Sequence, residues 1–280
     1  MTTRAIFAGC SSRWGLFMND LPAIVRNGLH RSFLPIAGAL AFLAVWEVAC
    51  RVLSIRPVLL PGPIAIFGEI MGSPAWFAEQ TAYTLGITLA GFAAAVVFGV
   101  LFAIVIVESK LLERLLFPLF VGLNSVPKVA LAPLFIIWFG VGDAPKIAIA
   151  FLIAVFAVVI DTALGLRSVP PDIVDLARTM RGSRLKVLLR VKLFCAMPHL
   201  FAGLKVAMSL ALVGAIVGEF VSSQRGLGYV ILSAQGMFDT TRVFAAIVIL
   251  AVVGVALIEA VAAVERVAMP WHHSAEGQGH

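Results

Sequence analysis

Charge is scarce in this chain. Only 13% of its 280 residues are Asp, Glu, Lys or Arg, where soluble domains carry about a quarter. The hydrophobic share is 61% and the mean hydropathy +1.04. Those values exclude an ordinary soluble domain and mark an integral membrane protein. Cysteine is scarce too. Cys10, Cys50 and Cys195 stand far apart, with no Cys-x-x-Cys and no neighbouring His. A disulfide framework and a zinc ribbon are both excluded, and the three read as bystander thiols. The chain also lacks Gly-x-x-x-x-Gly-Lys-Ser/Thr, so it cannot cradle ATP phosphates in a Walker loop. It has no His-Glu-x-x-His and no Gly-x-Ser-x-Gly. No catalytic constellation remains, and the chain is expected not to be an enzyme. No metal site is expected either, since His272, His273 and His280 sit in a polar tail, residues 266–280, read as solvated and cytoplasmic.

The net charge is +6 and the isoelectric point near 9.7. A nucleic-acid surface would give such values, but the basic residues cluster in loops beside apolar runs, which is a topological pattern. No nucleic-acid partner is expected. At the start, Phe7-Ala8-Gly9-Cys10 looks like a lipoprotein cleavage box. The apolar stretch before it, Ala5 to Ala8, falls short of the 7–15 residues a signal core needs. Residues 1–32 therefore read as a cytoplasmic N-terminal arm.

What the chain has in abundance is long apolar runs. A span needs about 20 apolar residues. Six segments qualify: Phe33–Val52, Tyr83–Val107, Leu115–Phe139, Ile147–Leu166, Pro198–Phe220 and Val243–Val264. They are too long and too uniformly apolar for barrel strands, so the expected fold is an all-α bundle of six transmembrane helices over residues 33–265. Arg4, Arg13, Arg26, Arg31, Lys110, Arg114, seven residues from Arg167 to Lys192, and Arg266 fall on one side. The other side holds few basic residues. Both termini are thus expected in the cytoplasm.

The loop between spans four and five reads RSVPPDIVDLARTMRGSRLKVLLRVKLFCAMP from Arg167 to Pro198, with five arginines and two lysines. At roughly 2.5–3.5 kcal/mol per Arg or Lys at the bilayer centre, burying seven would cost on the order of 20 kcal/mol. The loop must lie in water. Two other segments are irregular. After Leu59-Leu60-Pro61-Gly62-Pro63, the run Ile64–Phe77 predicts an interfacial helix on the outer face. Span three holds Pro127 and Pro133, which predict a kink or a break. A broken helix faces protein or a water-filled cavity, so Asn124, Ser125 and Lys128 are candidate pathway residues, with simple packing as the alternative. Carboxylates inside spans are functional candidates by default. They are Glu47, Asp161, Glu219 and Glu259, with interfacial placement or pairing with the basic loop as the alternative; Asp161 and Glu219 join the pathway candidates. Gly214 and Gly218 form a Gly-x-x-x-Gly for helix packing, within the subunit or against a second copy.

Asp175-Leu176-Ala177, Arg181-Gly182-Ser183, Leu193 and Pro198 resemble the EAA loop of bacterial ABC importer permeases. Asp replaces the family Glu, Leu the first Ala, Arg181 takes the usual glycine position and Phe194 replaces the usual Pro. The stretch SVPKVALAPLFIIWFGVG (Ser125 to Gly142) is similar to the third-span segment of nitrate/sulfonate/taurine-type permeases. So are Trp46-Glu47, Leu60-Pro61-Gly62-Pro63, Ala177-Arg178, Gly182-Ser183-Arg184 and Gly226-Leu227-Gly228-Tyr229, covering residues 40 to 265 in order.

The resemblance implies a type I ABC importer permease-like bundle in the bacterial inner membrane, in contact with lipid. A second permease copy completes the pathway, a cytoplasmic ATPase dimer holds ATP and Mg, and a periplasmic solute-binding protein delivers the solute; no cofactor sits in this chain. The loop at 167–197 supplies a coupling helix through Ile173 to Arg181, with Asp172, Asp175, Ala177, Arg178, Arg181, Gly182, Ser183 and Arg184 as its ATPase-coupling residues. The implied solute is a sulfonate, taurine, nitrate or related oxyanion, with a pyrimidine thiamine precursor as the alternative. A self-contained secondary transporter would need an internal repeat, and none is visible.

Overall fold

The structure, a computed structural model, describes residues 21–179 and 184–270. All elements among the described residues are helical, which suits hydrocarbon, where every backbone polar group must bond within its own segment. The chain divides into two compact units, residues 1–66 and 67–280.

The first unit contains helix α1 (Leu21–Val52), which covers the expected first span and begins well before it. Its last turn closes onto the Leu60–Pro63 segment: Cys50 Sγ lies 3.8 Å from Leu60 O. Helix α2 (Pro63–Gly72) starts at the border of the two units. The expected interfacial helix Ile64–Phe77 does not exist as one piece. Pro74 lacks an N–H and disfavours helix at Ser73, so α2 stops at Gly72 and Pro74 opens a new helix at its own first turn.

The second unit is built around that new helix, α3 (Pro74–Glu108), together with α6 (Asp143–Arg167) and α8 (Leu193–Ser222). Between them lie α4 (Lys110–Asn124), a 3-10 turn at Lys128–Leu131 and α5 (Ala132–Phe139). The expected third span is therefore two helices, bent by 86°. Pro127 explains the break, because it removes a donor and pushes Val126 off helical geometry. Pro133 does not kink anything; it sits in the first turn of α5, where a missing N–H costs nothing. The loop contains α7 (Pro171–Thr179), and a turn Arg184–Val187 and a π-turn Leu188–Lys192 lead into α8. Then come α9 (Leu227–Gly236) and α10 (Thr240–Ala268). By length and composition, the described residues include four helices fit to cross a membrane, α3, α6, the run Arg190–Ser222 and α10, or five if the bent pair is one span.

Helix α6 is the buried centre. Ala150, Ala154, Val158, Val159 and Ala163 have no exposed surface. Two neighbours reach it through glycines. A Cβ on Gly91 of α3 would lie 2.5 Å from Ala150 Cβ, and one on Gly214 of α8 would lie 2.6 Å from Ala150 Cα. Ala150 is thus gripped from both sides. The seam continues at Gly99 against Val158 (2.8 Å), Gly218 against Lys146 (2.8 Å) and Gly203 against Asp161 (2.5 Å). In lipid, apolar burial does not drive helices together, so such close backbone approach supplies the dispersion contact that holds them. Gly214 and Gly218 therefore pack within the subunit.

The seam sets a mutational expectation. Gly214→Val or Gly91→Leu should sharply reduce monodisperse protein on fluorescence-detected size exclusion, because an overpacked seam costs about 1–3 kcal/mol or more. Gly86→Ala, on the same α3 but with nothing within 4 Å of its added Cβ, should leave the yield unchanged.

Candidate functional site

Polar side chains gather at the two ends of the three-helix core. At the loop end, α7 is entered through Pro170-Pro171, and the amides of Ile173 and Val174 both bond back to Pro170 O (3.2 and 3.4 Å). Proline at the first helical position and Asp172 in the first turn suit a helix start. Asp172 and Asp175 are exposed and Ala177 is half-buried. Arg178 and Arg184 have helical backbones, with side chains outside the description; Arg181, Gly182 and Ser183 lie outside the described residues. The helix expected over Ile173 to Arg181 thus begins two residues earlier, at Pro171, and is described as far as Thr179.

Both stems of this loop are fastened to one corner, the α3–α4 junction. Arg167, at the end of α6, pairs with Glu113 at 2.8 Å and lies 4.0 Å over the Phe117 ring. Lys192, at the start of α8, pairs with Glu108 at 2.5 Å. Ser109 caps α4 between the two carboxylates by accepting from Leu112 N at 3.5 Å. On the same side, Lys205 of α8 pairs with Glu265 of α10.

At the far end, Ser223 to Gly226 turns the chain from α8 into α9. Three successive amides there each find a side-chain acceptor. Gly226 N donates to Gln80 Oε1 (2.7 Å), Leu227 N to Thr84 Oγ1 (2.8 Å) and Gly228 N to Glu219 Oε2 (2.7 Å). These are orphan donors of the first turn of α9, which no carbonyl of its own helix can satisfy. Glu219 and Thr84 have no exposed surface, and Gln80 is buried. Gly226 has φ +99, and its Cβ would run into the Glu219 carboxyl; a Cβ on Gly228 would come 2.8 Å from Glu219 Cβ. Only glycine fits at either position. Beside this cluster Lys146 Nζ, with 3% of the residue exposed, donates to Tyr83 OH (2.7 Å) and to Asp143 Oδ1 (3.4 Å), and Tyr83 OH in turn bonds Asp143.

The first unit shows the same device. Glu47 Oε2 accepts from Ile64 N (3.2 Å) at the start of α2, and Oε1 pairs with Arg51 (2.7 Å). A Cβ on Gly62 would be 2.6 Å from Glu47 Oε2. Trp46-Glu47 and Leu60-Pro61-Gly62-Pro63 are thus one local structure. Glu259 is exposed on α10.

The pathway candidates do not converge. Asn124 and Ser125 are exposed at the break, where Lys128 Nζ bonds Asn124 O (2.8 Å) and Asn124 Oδ1 (2.9 Å), 4.5 Å from the Phe156 ring centre. That cation satisfies the carbonyl end of α4. Asp161 is half-buried against Gly203 between α6 and α8, and Glu219 is enclosed at the far end of α8. Sequence reading passed over Gln80, Thr84, Tyr83 and Lys146. The signal was present: Gln80, Thr84 and Thr88 recur every four residues in an apolar run, a polar stripe along one face of α3.

A family model described as "Binding-protein-dependent transport system inner membrane component" matches residues 95–267. The formylaminopyrimidine transport permease protein ThiX of Halalkalibacterium halodurans is 32% identical over 87% of this chain and 98% of its own length. The putative aliphatic sulfonates transport permease protein SsuC of Bacillus subtilis is 32% identical over 84% of this chain and 86% of its own. The nitrate import permease protein NrtB of Synechococcus elongatus is 29% identical over 89% and 94%. Among solved structures, a chain of the inward-facing MetNI methionine ABC transporter superposes with a TM-score of 0.62 at 17% identity, over 69% of this chain and 96% of that one.

The corner that fastens the loop is open to a charge-swap test. Glu108→Lys is expected to lower the thermal midpoint of the purified protein, and adding Lys192→Glu to restore most of the loss. A double-mutant cycle should give a coupling of about 0.5–1 kcal/mol, the value of a partly exposed pair.

Proposed function

The chain belongs to the family of binding-protein-dependent transport system inner membrane components, and from that membership we propose that it passes a small oxyanion, a sulfonate, taurine or nitrate, from a periplasmic solute-binding protein to the cytoplasm. A separate ATPase dimer, docked on the loop at 167–197, supplies the energy. The observation that carries the importer part of this reading is the family match itself, since residues 95–267 take in the loop, both of its stems, all of α6 and α8 and the last turns of α3. The likeness to the methionine transporter chain supports a type I importer fold.

In this reading α7 is the lever. Pro170-Pro171 give it a defined start, and the exposed Asp172 and Asp175 present charge at its first turns. Force applied there reaches α6 and α8 directly, because the loop is their connection, and the Glu108 and Glu113 pairs carry it to the α3–α4 corner. Two copies of the chain enclose the pathway. The break after α4 supports that arrangement: Asn124 and Ser125 are exposed, and a broken helix in hydrocarbon needs protein or water beside it. Asn124, Ser125 and Lys128 keep their pathway assignment, whereas Asp161 and Glu219 act in packing and in fastening α9. The ThiX relative favours a second solute class, a pyrimidine, through the same machinery.

The test is co-purification with the ATPase, then uptake in vesicles holding the binding protein and offered nitrate, taurine, ethanesulfonate or a formylaminopyrimidine. ATP-dependent uptake of an oxyanion is expected. Pyrimidine uptake alone would transfer the assignment to the second class, and uptake without ATP would overturn the importer. Within the loop, Arg181→Glu places a negative charge where the family carries glycine. ATP hydrolysis is expected to continue while uptake falls; unchanged uptake would show that Arg181 is not part of the ATPase contact.

A further inference from the structure

We propose that Glu219 is a positioning residue for transport: it fastens the Gly226–Gly228 turn, and α9 behind it, to the end of α8 remote from the loop. The inference rests on the importer reading, because it treats α8 as the helix on which the ATPase pulls.

Helix α8 continues for 30 residues, with Pro198 in its second turn, about 45 Å at 1.5 Å per residue. Its first residue follows the π-turn that leaves the loop, and Glu219 lies in its last turn. A displacement at the loop is therefore delivered to Glu219 along a single rod. What Glu219 grips is the first turn of α9, whose amides at Gly226, Leu227 and Gly228 all point into the core and are satisfied by Gln80, Thr84 and Glu219. Two of these acceptors belong to α3 and one to α8, so α9 is tied across the seam those helices share with α6. The fit leaves no slack. Gly226 and Gly228 each lie too close to the carboxyl for any side chain, and Gly226 takes a positive φ that suits glycine alone.

A neutral acceptor could make the bond to Gly228 N with less desolvation. The carboxyl oxygen used here instead faces the positive end of a ten-residue helix. Its other oxygen, Oε1, accepts no hydrogen bond. Glu219 is thus committed to the one turn, and it has no surface from which to touch a solute. At its other end α9 runs into Met237 and Phe238, 76% and 77% exposed, with Phe238 at φ +57. Asp239 then caps α10 by accepting from Arg242 N at 3.1 Å. A moving α8 would carry α9 and this exposed apolar turn with it.

The test uses the assembled complex of permease, ATPase and binding protein in vesicles, with the four solutes named above as probes. Its reading is the number of solutes taken up per ATP hydrolysed, measured on assembled complex isolated by size exclusion. A merely structural role would lower the amount assembled and leave that ratio unchanged. Glu219→Ala removes the acceptor from a buried amide and is expected to lower the ratio at least about tenfold while hydrolysis continues. Glu219→Gln keeps an acceptor for Gly228 N and should stay within about threefold of the unmodified chain. An unchanged ratio in Glu219→Ala overturns the proposal. If that variant does not assemble, Gln80→Ala and Thr84→Ala, which remove the other two acceptors of the same turn, take its place under the same reading. A wild-type complex without ATP-dependent uptake would instead overturn the importer reading beneath it.

Discussion

Ala150 is held between two glycines, Gly91 on α3 and Gly214 on α8, and the rest of the second unit depends on that contact. Because α6 is approached at backbone distance from both sides, the three helices share one continuous seam from Lys146 near one end to Ala196 against Gly165 near the other. Small residues suit this task in a bilayer, where surrounding lipid is as apolar as any leucine and close packing has to supply the attraction. The consequence is mechanical. A loop that joins α6 to α8 is attached to a block, and its stems are further tied to α3 and α4 through Glu108 and Glu113.

Two short helices, one starting in the first unit and one in the second, are started in the same way. Glu47 accepts from the first turn of α2 and Glu219 from the first turn of α9, and each carboxylate leaves no space for a Cβ on the neighbouring glycine. A charged side chain inside an apolar helix looks like a solute contact by default. Here the expense of burying it is offset by amides that would otherwise be orphaned and by the positive end of a helix dipole. The polar groups left at the α4–α5 break, Asn124 and Ser125, are exposed instead of committed to a helix start.

Much of this could be read from the chain. The long apolar runs appear as α3, α6, α8 and α10, since their signal is composition over 20 or more residues and hydrocarbon admits few alternatives. The role of Gly214 and Gly218 as packing residues was also legible, though whether the seam lay within the subunit was not. Proline was harder. Pro127 breaks a helix, Pro133 opens one and Pro118 lies inside α4, so the residue alone does not say which; the position within a helix decides. The Gln80–Thr84–Glu219 cluster was missed because Glu219 and the turn it holds lie more than 130 residues from Gln80 and Thr84 in sequence, and only packing brings them together.

The rigidity of the three-helix block is the claim on which force transmission rests, and it can be measured directly. Spin labels at Phe98→Cys on α3 and Val206→Cys on α8, both exposed positions, report the distance across the seam. Double electron–electron resonance on the complex with its ATPase, without nucleotide and with ATP trapped, should give distances that agree within about 2 Å, the scale of small helix shifts. A change approaching one helical turn, about 5.4 Å, would mean that α3 and α8 slide past each other, and would contradict a block that moves as one body.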